Sequence, residues 1–346
     1  MLDFLLALGG LFVQKTDRIF SGMRPTGRLH IGNYLGALQN WVELQKEYEC
    51  IYSAVDLHAI TTIASSDDIE AIQPNIKDMV LDWLAAGVDP ERSIIFVQSH
   101  VPEVTMLYTL LGMVTPLGWL MRVPTFKEKV RQMDATEESV NYGLVGYPVL
   151  QTADIILYKA DTVPVGEDQL PHLELAREIV RRFNNKFGET FPEPKAKLTE
   201  SPLILGLDGQ QKMSKSLDND IEIAATEEVT TSRIVTAFTD PQRVRRDIPG
   251  RPEVCNVYSL HKIFTPNQLK SIYSECTLAE RGCVDCKKQL SNGVNQFFGE
   301  MRDRRDKYAL KPKLVDEILS DGARRAGIIA RETIGEVREK MGLSLL

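Results

Sequence analysis

Two short strings carry the side chains best suited to handling phosphate. The first, F-S-G-M-R-P-T-G-R-L-H-I-G-N, runs from Phe20 to Asn33. Its glycines at 22 and 27 let backbone approach a ligand closely. His30 and Asn33 would project donors from the first turn of a helix, whose free N–H groups favour an anion. The second string, K-M-S-K-S from Lys212 to Ser216, follows the turn Asp208-Gly209 about 180 residues later. Two lysines three apart, interleaved with hydroxyls, form a mobile cationic clamp for a phosphate whose charge shifts during reaction, because fixed cations stabilise charge as it develops. Either string alone is ordinary, since glycine-broken strand-to-helix turns recur in α/β folds and a lone K-x-x-K is most often a solvated loop. Their pairing in one chain points to a nucleotide site.

Two further groups could do chemistry. Asp154 sits in the apolar run Leu150 to Leu157, where a carboxylate is costly unless paired; the plainer alternative is an aspartate on a helix surface. Four of the five cysteines follow the pattern C-x20-C-x6-C-x2-C at Cys255, Cys276, Cys283 and Cys286, while Cys50 lies in an apolar strand and reads as core. Structural disulfides are rare in reducing compartments, so metal ligation is the leading reading for the four. Zinc and an iron-sulfur cluster both accept four thiolates, and spacing does not choose between them.

The elements that must hold these groups can be read from periodicity. A strand ends at Ile19-Phe20, a helix runs from Asn33 to Glu47, Cys50 to Val55 is a buried strand, Asp68 to Ala86 an amphipathic helix closed by Gly87, and Ser93 to Val97 a third strand. Helical segments follow Pro102, interrupted at Gly112, Pro116 and Pro124. Thr125 to Glu138 reads as a mobile polar loop, Leu150 to Tyr158 as a helix, Thr162 to Val165 as a strand ending in Gly166-Glu167-Asp168-Gln169, and Pro171 to Phe187 as a helix. Gly188 to Pro202 reads as a proline-rich linker. From Thr226 onward no strand pattern returns, and a charged helix near Arg331 to Lys340 closes the chain. The alternation predicts an α/β fold, a doubly wound parallel sheet with an α-helical C-terminal region.

Composition agrees with a soluble globular protein. The chain has 346 residues, 43% of them hydrophobic, enough for one large domain and an appendage. A formal net charge of −7 argues against a general nucleic-acid binder but leaves room for local basic patches on an acidic body. The apolar opening, Met1 to Val13, lacks a basic flank and is too short to span a bilayer, so it reads as an extension of a cytoplasmic protein with no membrane partner.

Together, H-I-G-N and K-M-S-K-S resemble the two signatures of class I aminoacyl-tRNA synthetases. Asn33 stands where the first signature usually ends in histidine, a departure more frequent in the tryptophan and tyrosine branch. Val55-Asp56-Leu57-His58-Ala59-Ile60-Thr61, Phe126-Lys127-Glu128-Lys129, Ala153-Asp154-Ile155 and Val163 through Gln169 are similar to strings of bacterial-type tryptophanyl-tRNA synthetases, in order and spacing, from Arg18 onward.

The resemblance implies ATP-dependent attachment of L-tryptophan to tRNA(Trp) through an adenylate, with Mg²⁺, by a homodimer. It implies that Asp154 accepts the indole N–H, with Phe20, Gly22, His58, Gln151, Ile155, Val163, Val165 and Gln169 completing the tryptophan pocket. Gln151 stands where many relatives carry methionine. Arg24, Pro25, Thr26, His30, Gly32, Asn33, Gly166, Glu167 and Asp168 would hold ATP with Lys212, Met213, Ser214, Lys215 and Ser216, and Lys129, Lys212 and Lys215 would act on phosphate. Arg24 replaces a frequent glutamine, either supplementing the clamp or pairing at the surface. A subset of these synthetases carries a similar cysteine pattern and binds a four-iron, four-sulfur cluster in the anticodon-recognising domain, which favours the cluster over zinc. The expected division is an extension at residues 1–17, a Rossmann-like catalytic domain at 18–216, a helical anticodon-binding domain at 217–320 and a terminal helix at 321–346 packing back on the catalytic domain. A tyrosine-specific synthetase, a smaller nucleotidyltransferase and an inactive RNA-binding paralogue are the competing readings.

Overall fold

A computed structural model describes residues 17–344, except 63–65, 133–135, 137–138, 199–203 and 312. The extension expected at residues 1–17 therefore lies, all but Asp17, outside the described residues. Five strands form one wholly parallel sheet, in the order β3-β2-β1-β4-β5. They are β1 (Arg18–Met23), β2 (Glu49–Ala54), β3 (Ser93–Val97), β4 (Thr162–Val165) and β5 (Lys195–Leu198). β2 and β3 are buried along nearly their whole length, as strands covered on both faces must be.

Successive strand residues enter opposite cores. Ile19, Tyr52 and Ile95 join one apolar cluster, while Phe20, Ile51 and Phe96 join the other. On the first face lie helix α1 (residues 31–44, with a π-helical turn at Tyr34–Leu38), which follows β1, and the later helix Ile72–Ala86, closed by Gly87 in a left-handed conformation. Trp41 stacks on Tyr52 with centroids 4.3 Å apart, and the Tyr52 hydroxyl donates to Trp41 O at 2.9 Å. On the second face pack the helices Glu103–Gly112, Tyr142–Leu157 and Leu170–Phe187.

Past the K-M-S-K-S string the chain is helical: Glu227–Val235, Asn256–Phe264, Leu269–Thr277, Cys283–Ala309 and Leu314–Lys340. Leu290, Val294, Phe298 and Met301 share the first core with Trp41 and Trp83, so this region rests on the sheet's helices through apolar contact. The last helix returns to the sheet and runs along β3. Gly322 presses its backbone against Ile95 O, where any β-carbon would collide, and Arg325 donates to Pro90 O at 2.9 Å and Ser93 O at 3.4 Å. Since β3 is the end strand of the sheet, this helix covers its free edge.

Several sequence expectations need correction. β1 does not end at Phe20 but continues to Met23, since Gly22 pairs in register with Ser53 and Met23 with Ala54. The polar stretch from Thr125 is not a loop at its start: Pro124–Gln132 is helical, begun by a proline whose fixed φ suits a first turn and anchored by Phe126 and Val130, both buried one turn apart. The helix expected at Leu150 begins at Tyr142, with Asn141 accepting Leu144 N at 2.8 Å as its cap, and tolerates Pro148 inside. Gly188 to Pro202 is not wholly a linker, because Lys195–Leu198 supplies the fifth strand. The terminal helix starts at Leu314, so the division expected at 320/321 falls inside it.

Candidate functional site

The carboxyl ends of β1, β2, β3 and β4 deliver the chemistry-bearing residues to one end of the sheet, as doubly wound folds do. Between them opens a cleft of about 360 Å³. Phe20, Gly22, His58, Gln151, Asp154, Ile155, Val163, Val165 and Gln169 all line it, together with Arg24, Gly166, Val55 and Tyr147. Every residue expected to wall an indole ring is thus brought together. Gly22 is required where it stands: a β-carbon there would lie 2.7 Å from Val55 Cγ1.

Asp154 is buried and held by two side chains of the protein. His58 Nε2 meets its Oδ2 at 2.8 Å, and Gln98 Nε2 reaches both carboxylate oxygens at 2.8 Å. Burial pushes the Asp154 carboxyl above the usual range, and the hydrogen bonds and charge of His58 and the hydrogen bond of Gln98 pull against it. The reading of Asp154 as a surface aspartate is excluded, since its side chain is 4% exposed. Gln98 is a residue sequence reasoning missed. Its signal was its position, immediately after the last residue of β3.

The two phosphate strings, distant in sequence, are joined in space. Ile31 N donates to Ile221 O at 2.9 Å and Ile223 N to Leu29 O at 3.0 Å, bridging His30 to Glu222. His30 caps α1, and Asn33 Oδ1 accepts its backbone N–H at 3.1 Å. A β-carbon on Gly32 would touch the His30 ring at 3.0 Å and Met213 Cβ at 3.5 Å, so the second string packs directly against the first. His30 Nδ1 is buried without a hydrogen-bond partner among the described residues. Burial, then the charges of Lys215 and Lys212, lower the His30 pKa to about 4, leaving a neutral imidazole near pH 7.

Burial also lowers the Lys215 pKa, while Glu222, Asp220, Asp82 and Asp78 hold it up. The clamp loop is tied down by Asn219, another residue the sequence did not single out. Its Oδ1 accepts Ser214 N at 2.7 Å and its Nδ2 donates to Asp208 Oδ2 at 2.6 Å. Ser214 and Ser216 hydroxyls meet at 2.9 Å. Pro25 and Thr26 lie in the loop after β1, and Gly166, Glu167 and Asp168 turn away from the end of β4, with Gln169 donating to Asp168 at 2.9 Å. Arg24 contacts Thr62 Oγ1 at 3.4 Å, and burial lowers its pKa; no carboxylate pairs with it among the described residues. Lys129 lies on Pro124–Gln132, but its side chain is outside the described residues.

The four cysteines sit apart from this cleft. Cys255 precedes the helix Asn256–Phe264, Cys276 lies near the end of Leu269–Thr277, and Cys283 and Cys286 occupy the first turn of Cys283–Ala309. Burial raises the thiol pKa of Cys255, Cys276 and Cys286, and the neighbouring cysteines raise each further, so the thiols share one region. Cys276 Sγ accepts from Arg243 Nη1 at 3.4 Å and Cys286 Sγ lies 3.4 Å from His261 Nε2. Among the described residues, no group of three or more His, Cys, Asp or Glu side chains is placed to hold a metal ion as it stands.

A nucleotide-handling end of a parallel sheet, backed by H-I-G-N and K-M-S-K-S in contact, defines a class of enzyme. The family model described as "tRNA synthetases class I (W and Y)" matches residues 14–299, and the chain belongs to that family. Within it, the chain is similar to the tryptophan–tRNA ligases. It is 45% identical to that of Thermotoga maritima over 94% of this chain and 99% of the relative. It is 46% identical to that of Deinococcus radiodurans over 94% of this chain and 98% of the relative. A crystal structure of the Campylobacter jejuni tryptophanyl-tRNA synthetase complexed with ADP and tryptophan superposes with a TM-score of 0.84 at 35% identity, covering 94% of this chain and all of that one.

Proposed function

We propose that this chain attaches L-tryptophan to tRNA(Trp) in two steps at the end of the sheet. The observation that carries the reading is a buried carboxylate acceptor, Asp154, in an apolar cleft that Arg24 and Gly166 share with the nucleotide-binding strings. Indole N–H is a donor with no acceptor ability, and a site built to receive it rejects analogues lacking it far better than apolar contact alone can. In the first step the tryptophan carboxylate attacks the α-phosphorus of ATP and the bond to pyrophosphate breaks. In the second a hydroxyl of the 3′-terminal ribose attacks the acyl carbon and AMP leaves. No side-chain nucleophile is required, because Lys212, Lys215, Lys129 and the α1 N-terminus would hold phosphate charge while the cleft orients the carboxylate. Neutral His30, with its unpartnered Nδ1, is poised to hydrogen-bond the nucleotide. Mg²⁺ enters as the partner of ATP. Pyrophosphate exchange measured with each of the twenty amino acids tests the assignment: tryptophan alone should support exchange.

In this reading residues 18–216, with the returning helix, form the adenylate-forming body, and the helices between them read the anticodon arm. A homodimer in the cytoplasm is the expected state. Zinc and a four-iron, four-sulfur cluster each accept four thiolates. The pattern C-x20-C-x6-C-x2-C, which resembles that of the cluster-bearing subset, supports the cluster over zinc. Cys255, Cys276, Cys283 and Cys286 would hold the cluster, which would brace the three helices that carry or follow them rather than react.

A further inference from the structure

The pairing around Asp154 reaches past the cleft wall to Gln98. We infer that Gln98 is a positioning residue that fixes the Asp154 carboxylate with one acceptor site left for an indole N–H, and so determines discrimination for tryptophan. The inference rests on the tryptophan-pocket reading above and extends it to a residue outside the cleft lining.

The argument is one of hydrogen-bond accounting. An ionised carboxylate offers about four acceptor sites. Gln98 Nε2 takes one on each oxygen, and His58 takes another on Oδ2. Three are thus occupied by the protein, and the remainder belongs to a group that lines the cleft. A single vacant acceptor matches a ligand with one ring N–H.

Gln98 can play this part only if its amide faces one way. A flipped amide would set a carbonyl oxygen against the carboxylate. The flip is prevented at the other end, where Gln98 Oε1 accepts Leu57 N at 3.1 Å. Gln98 is 1% exposed, so water offers no substitute partner. Leu57 is itself held by its neighbours: its N–H also reaches Asp56 Oδ1 at 3.0 Å, and Asp56 accepts Ser99 N at 3.0 Å and the Ser99 hydroxyl at 2.5 Å. The segment 56–58 is therefore stapled to 98–99, and it supplies both the lock on Gln98 and His58, the second donor to Asp154. Two strand ends, those of β2 and β3, converge to aim one carboxylate on a third element.

The test compares tryptophan with 3-benzothienyl-L-alanine, which replaces the ring N–H by sulfur, using pyrophosphate exchange on the full-length protein. Gln98→Met, close in shape and without the amide, should raise the tryptophan KM on the order of tenfold, leave the ATP KM in place and pull the kcat/KM ratio of the two amino acids towards one. Gln98→Glu, which keeps the acceptor for Leu57 but sets a second carboxylate against Asp154, should lose the ratio too and serves if the methionine variant does not fold. A folded variant of either kind that discriminates like the parent overturns the inference. Asp154→Ala separates the two levels: if it also keeps the parent ratio, the pocket reading itself falls, whereas loss of the ratio in Asp154→Ala but not in the Gln98 variants removes Gln98 alone.

Discussion

The ammonium of Lys215 rests over Gly27, with Nζ 2.9 Å from the place a β-carbon on that glycine would occupy. Gly27 has φ of +114°, a conformation that side chains rarely adopt. The second lysine of the clamp thus depends on the missing side chain of the first string.

Gly27→Ala is expected to strain the loop by about 1–2 kcal/mol and displace Lys215. Adenylate formation in a single turnover should slow while tryptophan binding, followed by calorimetry, stays near the parent value. Unchanged activation would show that the contact has no bearing on the phosphate.

Lys215→Ala should slow activation by about 10²–10³-fold, the range found when one preorganised charge-stabilising group is lost. The ground-state affinity for tryptophan should hardly move, because the cation answers charge that develops later. Rapid-quench measurement of adenylate decides, and an equal loss in tryptophan affinity would contradict the role.

Asp154→Ala should weaken tryptophan binding by about 1–3 kcal/mol and leave His58 and Gln98 without their shared partner. ATP binding should change far less. Equilibrium dialysis with each ligand separates the two, and undiminished tryptophan affinity would refute the pocket assignment.

His30 supplies a pH signature. Its folded pKa of about 4 lies below the ordinary 6.5, so between those values the unfolded chain binds more protons. Its contribution to stability is full above pH 6.5, falls as pH drops from 6.5 to 4 and levels off below. Denaturant titrations across that window should show a shallower slope in His30→Gln. ATP should raise the His30 titration point seen by NMR, since phosphate offsets Lys215 and Lys212.

Anaerobically purified protein should be brown and contain about four irons per chain. Colourless protein with one zinc would reverse the choice of metal. Cys283→Ser should impair aminoacylation of tRNA while tryptophan-dependent pyrophosphate exchange survives, and a joint loss in a folded variant would tie the cluster to catalysis.

The site was legible in the sequence where chemistry forces a residue type. Lysines three apart, a carboxylate in an apolar run and glycines beside a strand each announce an unusual demand, and the structure gathers them. β2, β3 and β4 were legible because apolar runs bounded by turns leave little choice. Lys195–Leu198 was not, being four residues with two lysines whose strand character comes from pairing with β4. Pro124–Gln132 was obscured by its charges, since among its described side chains only Phe126 and Val130 are buried. Gln98 and Asn219 were illegible for a different reason: each acts on another functional residue, and an amide that orients a neighbour leaves no pattern of its own.

The helix Leu314–Lys340 carries a consequence in time. Synthesis proceeds from the N-terminus, so β3 emerges long before the helix that covers it. Until then the backbone at Ser93 and Ile95 is a bare strand edge, the kind of surface on which nascent chains pair with one another. The same helix that seats Gly322 against Ile95 is therefore a late clasp, and until it closes the edge of β3 stays open to pairing.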